Sequence, residues 1–557
     1  MKSRNTDGNS EIFLLAQLAA CASVFSFLVY LRHNEILLYG DAVAHINIAR
    51  RLFDSRTPGL LQLGTVWLPL PHLLMVPFLV SNWLWQTGIG GSIPSMAAYI
   101  LGVAGIFRLV RGALSEGASA NRGARLAAWG AAIIYGANPN LIYVQATAMT
   151  ESLYLALFVW ALVYFTEFAR ATGTETGSSK ASSSSALLKC GWCVAGACLT
   201  RYDGWFLGGV LFVAALLVVW RAKKSSRSLS SLKVAFVKFT LIMAAMPVLW
   251  LAYNAVVYQN ALEFANGPYS AKAIEQKTAV PGAPAHPGTD DLPVAASYFL
   301  KAAELNVLPN NWHRLWLLLL IAGTLAILIS QRQLWALLLL WTPLPFYMLS
   351  IAYGGVPIFL PPWWPFSIYN ARYGLQLLPA FAVFIPLCGY FLAKLSPDVK
   401  VKIGAAFSVL VLVGTSYALV WRSQPILFRE AWINSRSRNA LESQLAAILR
   451  RLPTNSNYLM YLGNHVGAME HAGIPLRQVI NEGNHRPWET PRDAKGLWER
   501  ALADPKQYVQ YVIAFKGDDV DQQVNKSQLA PIVVVHVLEQ PAATIYMTIP
   551  ATGNPPR

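Results

Sequence analysis

Long apolar runs repeat along most of the chain, and short polar segments separate them. Runs of roughly twenty apolar residues are long enough to cross the hydrocarbon core of a bilayer. The pattern predicts about eleven membrane-spanning helices, near residues 12–31, 93–111, 125–143, 151–168, 187–201, 204–220, 234–256, 315–330, 334–352, 375–394 and 403–421. The apolar run 67–85 contains Pro69, Pro71 and Pro77, and we expect it not to cross.

The pattern changes after about residue 422. Short apolar segments at Asn457–Leu462, Tyr508–Ala514 and Ile532–Val537 are typical of strands, and residues 437–451 and 494–503 are typical of helices. The sequence therefore predicts a mainly α protein. A polytopic transmembrane helical domain (residues 1–421) is followed by a small soluble α/β domain (residues 422–557).

Charge orients the predicted helices. The chain has a net charge of +16, and its basic residues concentrate in short loops near 108–125, 170–189, 221–227, 332 and 394–402. All of these loops fall on one side if the run 67–85 does not cross, and that side is predicted to be cytoplasmic. The same pattern needs no nucleic acid partner. The loops near 41, 257–314 and 353–374 and the whole tail are then predicted to lie on the outer side.

Cysteine usage adds a weaker indication of compartment. All five cysteines lie in apolar segments, so no disulfide framework supports the tail. Lys2 and Arg4 precede the first apolar run, which continues to Leu31, and we expect an uncleaved first span. These features favour a multi-pass protein of a bacterial inner membrane.

The first predicted outer loop contains an acid and a histidine one helical turn apart, Asp41 and His45. Ionisable groups at a membrane boundary are costly and usually serve substrates, ions or protons. Residues 41–56 have the pattern of an amphipathic helix, in which Arg50, Arg51 and Arg56 would suit phospholipid headgroups. The alternative is an interfacial helix without chemistry. The irregular segment Trp67–His72 follows.

Three further polar motifs lie at predicted outer ends of spans. They are Thr150-Glu151, Thr200-Arg201-Tyr202-Asp203 and Asn370-Ala371-Arg372-Tyr373. Each has an ordinary structural explanation. Glu151 suits a helix N-terminus, Arg201 and Asp203 could neutralise each other, and Arg372 could anchor the interface. Together with Asp41 and His45, however, they place acids and cations at one membrane face.

This ordered set resembles the type C glycosyltransferases, the polytopic class that includes protein O-mannosyltransferases and bacterial aminoarabinose transferases. The resemblance covers roughly residues 10–420. It implies an inverting enzyme that takes a sugar from a polyprenyl-phosphate carrier. The acceptor would be a lipid, a glycan or a protein, and membrane lipids would surround the enzyme.

The resemblance also implies roles for individual residues. Asp41 matches the catalytic base of the first loop, and Glu151 matches a second acid that shapes the acceptor site. The matching substrate-binding positions are His45, His72, Arg201, Tyr202, Arg372 and Tyr373. Leu68 stands where aminoarabinose enzymes have lysine, which affects sugar specificity. The Asp-x-Asp metal motif of oligosaccharyltransferases is absent from the first loop, so we expect no obligatory metal and no other cofactor.

Other functional classes remain possible. A glycosidase would also use two acids, but hydrolysis of soluble sugars needs no lipid groove. A transporter or flippase of lipid-linked sugars would suit broken helices, although the chain shows no internal repeat. A non-catalytic assembly factor would use the tail for binding. In the glycosyltransferase interpretation, we expect the tail to help capture the acceptor, with Trp488 and Trp498 as candidate aromatic surfaces.

Overall fold

We describe the chain from a computed structural model, which covers residues 3–114, 122–173, 177–224, 230–278, 282, 284–309, 312–330, 332–395, 398–485 and 496–549. Trp488 lies outside the described residues. Helices dominate, as the sequence predicts. The α-helices are α1 (Ser3–Arg32), α2 (Gly40–Arg51), α3 (Leu70–Leu79), α4 (Asn82–Gln86), α5 (Ile89–Ala113), α6 (Arg122–Gly136), α7 (Pro139–Gln145), α8 (Glu151–Gly173), α9 (Gly177–Cys198), α10 (Asp203–Lys224), α11 (Ser230–Tyr258), α12 (Glu263–Asn266), α13 (Ala271–Thr278), α14 (Leu292–Leu305), α15 (His313–Ser330), α16 (Pro343–Tyr353), α17 (Leu378–Leu395), α18 (Val399–Ser423), α19 (Ile426–Leu449), α20 (Gly467–Ala472), α21 (Leu497–Ala503) and α22 (Asp519–Gln523).

Within the described residues, eight helical segments are long and apolar enough to cross a membrane. They are Ser10–Arg32, Ile89–Ala113, Glu151–Thr172, Asp203–Ala222, Ser230–Tyr258, Gln333–Tyr353, Ala371–Leu395 and Lys400–Leu449. Each contains most of one predicted span. The predicted spans 125–143, 187–201 and 315–330 fall on helices outside this set, so the count of about eleven stays a prediction. The chain is an integral membrane protein.

The proline-containing run 67–85 forms two short helices. Helix α3 has 10 residues with Pro71 near its start and Pro77 inside it, and α4 has 5 residues. At a rise of about 1.5 Å per residue, α3 is about 15 Å long, roughly half the thickness of a bilayer core. Neither helix is long enough to cross the membrane, which agrees with the prediction made from the three prolines.

The tail contains a sheet of five strands, which are β1 (Tyr458–Met460), β2 (Val479–Ile480), β3 (Tyr511–Phe515), β4 (Leu529–Val535) and β5 (Ala543–Thr548). Their order in the sheet is β2-β1-β3-β5-β4. Strand β1 runs parallel to β2 and β3, and β5 runs antiparallel to β3 and β4. The predicted α/β arrangement of the tail is confirmed, with β2 and β5 as additional strands.

The chain folds as two compact units. The first unit contains residues 1–33, 94–252 and 262–430, and therefore most of the apolar helices. The second contains residues 34–93, 253–261 and 431–557. The first predicted outer loop thus belongs to the same compact unit as the sheet of the tail.

The second unit corrects one expectation about the arginines of α2. Arg50 is buried, and its guanidinium donates to Asp54 Oδ2 at 2.8 Å, Asn82 Oδ1 at 2.7 Å and the Leu79 carbonyl at 2.5 Å. It also lies 4.8 Å from the ring centroid of Trp85. Arg50 therefore fixes the loop internally, and the prediction that it serves headgroups is wrong, because local partners satisfy its charge.

Ser182–Ser185, which the sequence predicted to be a loop, lies in the first part of α9. We predict that this part of α9 is cytoplasmic and that the loop around Thr289 lies outside, because all basic segments then share one side. Ser183 is buried and hydrogen-bonds to Thr172, whereas Ser185 and Ala285 are exposed. The probes are therefore Ser185→Cys and Ala285→Cys. In intact cells an impermeant thiol reagent should label only Ala285→Cys. In permeabilised cells both should react, and the reverse pattern in intact cells would overturn the orientation.

Candidate active site

Three polar motifs predicted from the sequence meet within the first unit. Glu151 is the first residue of α8, Arg201 lies in the turn between α9 and α10, and Arg372 lies in a short 3-10 helix, Ala371–Leu377. Each of these residues lies at the end of a helix, at a point where an apolar run of the sequence ends. We call Glu151, Arg201, Asp203, Arg372 and Glu430 the charged cluster.

Arg201 is the centre of the charged cluster. Its Nη1 donates to Glu151 Oε1 at 3.1 Å, and its Nε donates to Asp203 Oδ1 at 3.2 Å. Its Nη2 donates at 2.9 Å to the Tyr347 hydroxyl, which in turn donates to Asp203 Oδ2 at 3.0 Å. Three acceptors on three elements therefore fix the plane of this guanidinium.

Arg372 joins the same carboxylate from the other side. Its Nε lies 3.3 Å from Glu151 Oε1, and its Nη1 lies 3.5 Å from Glu430 Oε1. Glu430 Oε1 also accepts a hydrogen bond of 2.8 Å from the backbone N–H of Asn370, which has a left-handed φ of 58°. Glu151 and Glu430 thus hold Arg372 at both ends.

The charged cluster is almost fully removed from solvent. The side chains of Glu151 and Glu430 are 0% and 1% exposed, whereas those of Arg201 and Arg372 retain 15% and 11%. Buried charges are stable only when they are paired, and loss of one partner costs about 3–5 kcal/mol. With every group ionised, the three carboxylates and two guanidiniums carry a net charge of −1. Glu151 Oε2 receives no hydrogen bond from the described residues.

Aromatic rings surround the two guanidiniums. The Arg201 and Arg372 guanidinium carbons lie 5.4 Å and 5.2 Å from the ring centroid of Tyr373, and Tyr373 stacks on Tyr347 at 5.2 Å. The predicted residue Tyr202 lies beside the cluster in sequence, but its hydroxyl accepts a hydrogen bond of 3.2 Å from Trp250 Nε1. Its ring stacks on Phe264 at 4.8 Å.

An apolar groove of about 520 Å³ lies in the same unit. It is lined by Phe206, Val210, Thr324, Leu338, Leu339, Trp341, Thr342, Leu344 and Pro345. Phe206 is three residues from Asp203, and its ring contacts that of Phe346, the neighbour of Tyr347, at 5.9 Å. Through Phe206, the groove therefore lies about one helical turn along α10 from Asp203.

The second unit contains the other predicted residues. Asp41 is half-buried in the first turn of α2. His45 and His72 are buried, and His45 Nδ1 lies 2.9 Å from His72 Nε2. Burial, followed by the neighbouring His45 and Arg51, lowers the pKa of His72 well below its usual value. His72 is therefore neutral and orients His45, whose ring also lies 4.8 Å from that of Trp67.

A polar network connects α2 to the tail within this unit. Asn47 Nδ2 donates to Glu470 Oε2 at 2.5 Å, and Asn47 Oδ1 accepts from Trp85 Nε1 at 3.1 Å. Burial, helped by the nearby Glu442 and opposed by the hydrogen bond from Asn47 and the charge of Arg438, raises the pKa of Glu470 to about 8. The Glu470 carboxyl is therefore protonated at neutral pH.

The sequence did not identify Glu430 of the charged cluster or Tyr347, which contacts Arg201 and Asp203. Glu430 lies beyond the last predicted span, in a helix whose polar composition resembles a surface helix, and Tyr347 lies inside an apolar run. The polar pair Arg429-Glu430, a few residues after the predicted span 403–421, could have indicated the former. Among the described residues, no group of three His, Cys, Asp or Glu side chains could hold a metal ion. The Gly463–Gly467 turn leads into a helix of only six residues, and His465 stacks on Phe515 at 4.3 Å.

No family model and no curated protein sequence matches the chain. Solved structures do match. The crystal structure of ArnT from Cupriavidus metallidurans bound to undecaprenyl phosphate has a TM-score of 0.57 and 14% identity, over 98% of this chain and 99% of that chain. The apo form of that protein has a TM-score of 0.53 and 14% identity, over 96% and 98%. The apo oligosaccharyltransferase of Archaeoglobus fulgidus has a TM-score of 0.45 and 11% identity, over 90% and 69%.

The chain has the fold of ArnT over nearly the whole of both chains. The predicted fold class is therefore confirmed, and so, at the level of the fold, is the predicted resemblance to the aminoarabinose transferases.

We predict that Glu470 makes the second unit less stable as the pH rises. An acid whose pKa is raised in the folded state stabilises that state fully below its unfolded value of 4.5, and the contribution is lost as the pH rises through about 8. The hydrogen-exchange protection of residues 41–48, measured relative to the intrinsic exchange rate at each pH, should therefore fall between pH 5 and pH 8. Glu470→Gln should flatten this dependence, since Gln can still accept from Asn47. An equal pH dependence in both proteins would refute the prediction.

Proposed function

We propose that the chain is an inverting glycosyltransferase that moves a sugar from a polyprenyl-phosphate carrier to a lipid, glycan or protein acceptor at the outer face of the membrane. The observation that carries the proposal is the pair of largely buried arginines in the first unit, together with an apolar groove about one helical turn along α10 from Asp203. A lipid phosphate has this combination of a long apolar chain and an anionic head. ArnT, whose fold this chain shares, was solved with undecaprenyl phosphate bound.

The donor is held by the first unit in this proposal. The groove lined by Phe206 and Leu338 takes part of the polyprenyl chain, and Arg201 and Arg372 take the phosphate. Both guanidiniums already contact Glu151 Oε1, so the phosphate must replace part of the Glu151 contacts when it binds. Arginine suits this role because its planar fork grips two oxygens of a phosphate at once.

The reaction itself needs a base and a stabilised leaving group. The acceptor hydroxyl oxygen attacks the anomeric carbon while the bond from that carbon to the phosphate oxygen breaks. Asp41 takes the hydroxyl proton, and the arginines stabilise the departing polyprenyl phosphate. A phosphate leaves without a strong general acid, so one carboxylate base is sufficient. Attack from the face opposite the phosphate inverts the anomeric centre.

The first expected outcome concerns Asp41. Asp41→Asn keeps the shape of the side chain and removes the base, so kcat should fall by about a hundredfold or more. The donor is extracted from the lipid-linked sugars that accumulate when the gene is deleted, and mass spectrometry identifies it. Turnover is then measured as release of polyprenyl phosphate from that donor.

The matched control is Asp290→Asn, which changes an exposed acid in another predicted outer loop. It should leave kcat unchanged. Normal turnover in a folded Asp41→Asn protein would reject the base. An absence of any accumulated lipid-linked sugar would favour the assembly factor instead of the enzyme.

The second expected outcome concerns Arg201. Arg201→Lys keeps the charge but loses the fork, so the KM for the donor should rise by about tenfold, which corresponds to about 1.4 kcal/mol. Arg201→Ala should be worse, but it leaves Glu151 and Asp203 buried without their cation, so it is interpreted only if the protein remains folded.

The matched control is Arg108→Lys. Arg108 also pairs with a glutamate, Glu167 at 2.7 Å, on two helices of the same unit, but it does not belong to the charged cluster. Its replacement should leave donor kinetics unchanged. If Arg201→Lys behaves in the same way as Arg108→Lys, Arg201 is only the structural partner of Glu151 and Asp203.

A further inference from the structure

Arg438 of the tail packs against the backbone that leads into the Asp41 helix. Arg438 lies in α19, and its Nη2 donates to the carbonyl oxygens of Leu37 at 3.2 Å and Leu38 at 3.0 Å. A Cβ atom added to Gly40 would lie 3.2 Å from Arg438 Nη1. The guanidinium therefore covers residues 37–40 so closely that position 40 has little room for a side chain. Asp41 is the next residue.

Glu470 holds the same helix further along. The Asn47 amide uses its two N–H groups for the Val43 carbonyl at 2.8 Å and for Glu470 Oε2 at 2.5 Å. Val43 and Asn47 are successive turns of α2, so this amide connects the helix to the tail at its middle. Both Asn47 and Glu470 are buried, which strengthens the bond because water cannot replace either partner.

Helix α2 depends on such contacts. It has 12 residues, and isolated helices of this length are marginal in water. Among the residues described around its start, the N-cap Tyr39 provides no side-chain cap. Both tail contacts therefore supply the rigidity that α2 lacks by itself, and they bracket Asp41, with Arg438 before it and Glu470 after it.

We propose that Arg438 and Glu470 are positioning residues for the glycosyl transfer, which hold the Asp41 carboxylate in the orientation that the acceptor hydroxyl requires. This proposal rests on the proposed function, since it takes Asp41 as the base. It assigns the tail a part in orienting the base as well as the predicted part in capturing the acceptor. Truncation of the tail cannot separate these two parts, because it removes Arg438 and Glu470 together with every acceptor-binding surface.

The test is a double-mutant cycle between Arg438 and Asp41. Arg438→Ala should lower kcat by about tenfold to a hundredfold, the loss expected when a reacting group is displaced by about 1 Å. The KM for the lipid-linked donor extracted from the deletion strain should not change. In the Asp41→Asn background, Arg438→Ala should cause no further loss, because the group that it positions is already absent. Arg438→Lys should restore part of kcat.

The matched control is Arg436→Ala on the same helix, where the exposed Arg436 stacks on Trp432 and not on α2. It should leave kcat unchanged. Thermal unfolding of each variant establishes that it is folded. If Arg438→Ala does not accumulate, Arg438→Lys and Glu470→Ala replace it in the same cycle.

The outcomes separate the two proposals. If Asp41→Asn turns over normally, the proposed base is wrong. If Asp41→Asn is inactive but folded Arg438 variants keep a normal kcat, or if the two losses multiply in the double mutant, the positioning role is refuted while the base stands.

Discussion

The constraint on which the first unit depends is that a buried charge must be paired. Glu151 lies at the start of α8, and Arg201 and Asp203 lie in the turn before α10 and at its first residue. Arg372 lies in the 3-10 segment before α17, and Glu430 lies near the start of α19. Their ion pairs join four places in the chain that are far apart in sequence. The ion pairs therefore fix the position of each helix end, whereas the packing of the apolar helix faces fixes that position only approximately. A site built in this way can hold an arginine in a defined plane at a membrane boundary.

The two units solve the same problem with different chemistry. In the charged cluster, carboxylates compensate guanidiniums. Around α2, burial instead disfavours the charged forms of two groups, because it lowers the pKa of His72 and raises the pKa of Glu470 to about 8. The two guanidiniums of the charged cluster offer hydrogen-bond donors to an anion, whereas His72 and Glu470 add no charge beside α2 at neutral pH. The division is consistent with a reaction in which one partner is a phosphate and the other a hydroxyl.

The sequence predicted much of this arrangement for a simple reason. Apolar runs and basic loops determine which span ends share a side, so Glu151, Arg201 and Arg372 could be placed together before their contacts were known. Glu430 was missed because it lies beyond the last predicted span, 403–421, where the pattern changes to that of the tail. The prediction for Arg50 was wrong because its partners, Asp54 and Asn82, appear only when the loop folds back on itself. Strand β2 has two residues, too few for a periodic pattern, whereas β5 could have been found from the alternation of residues 543–548.

The union of an early loop with a late domain has a consequence for biosynthesis. Asn47 and Glu470 are 423 residues apart, and Thr57 and Asn484 are 427 apart. At roughly 5–20 residues per second, a ribosome needs on the order of 20–90 seconds to supply the second partner after the first. Throughout that interval the loop has been synthesised but lacks its hydrogen bonds to the tail. A premature stop between residues 424 and 437 therefore yields a product that has every helix up to α18 but lacks both Arg438 and Glu470, so the Asp41 loop never gains these contacts and is exposed to quality-control proteases.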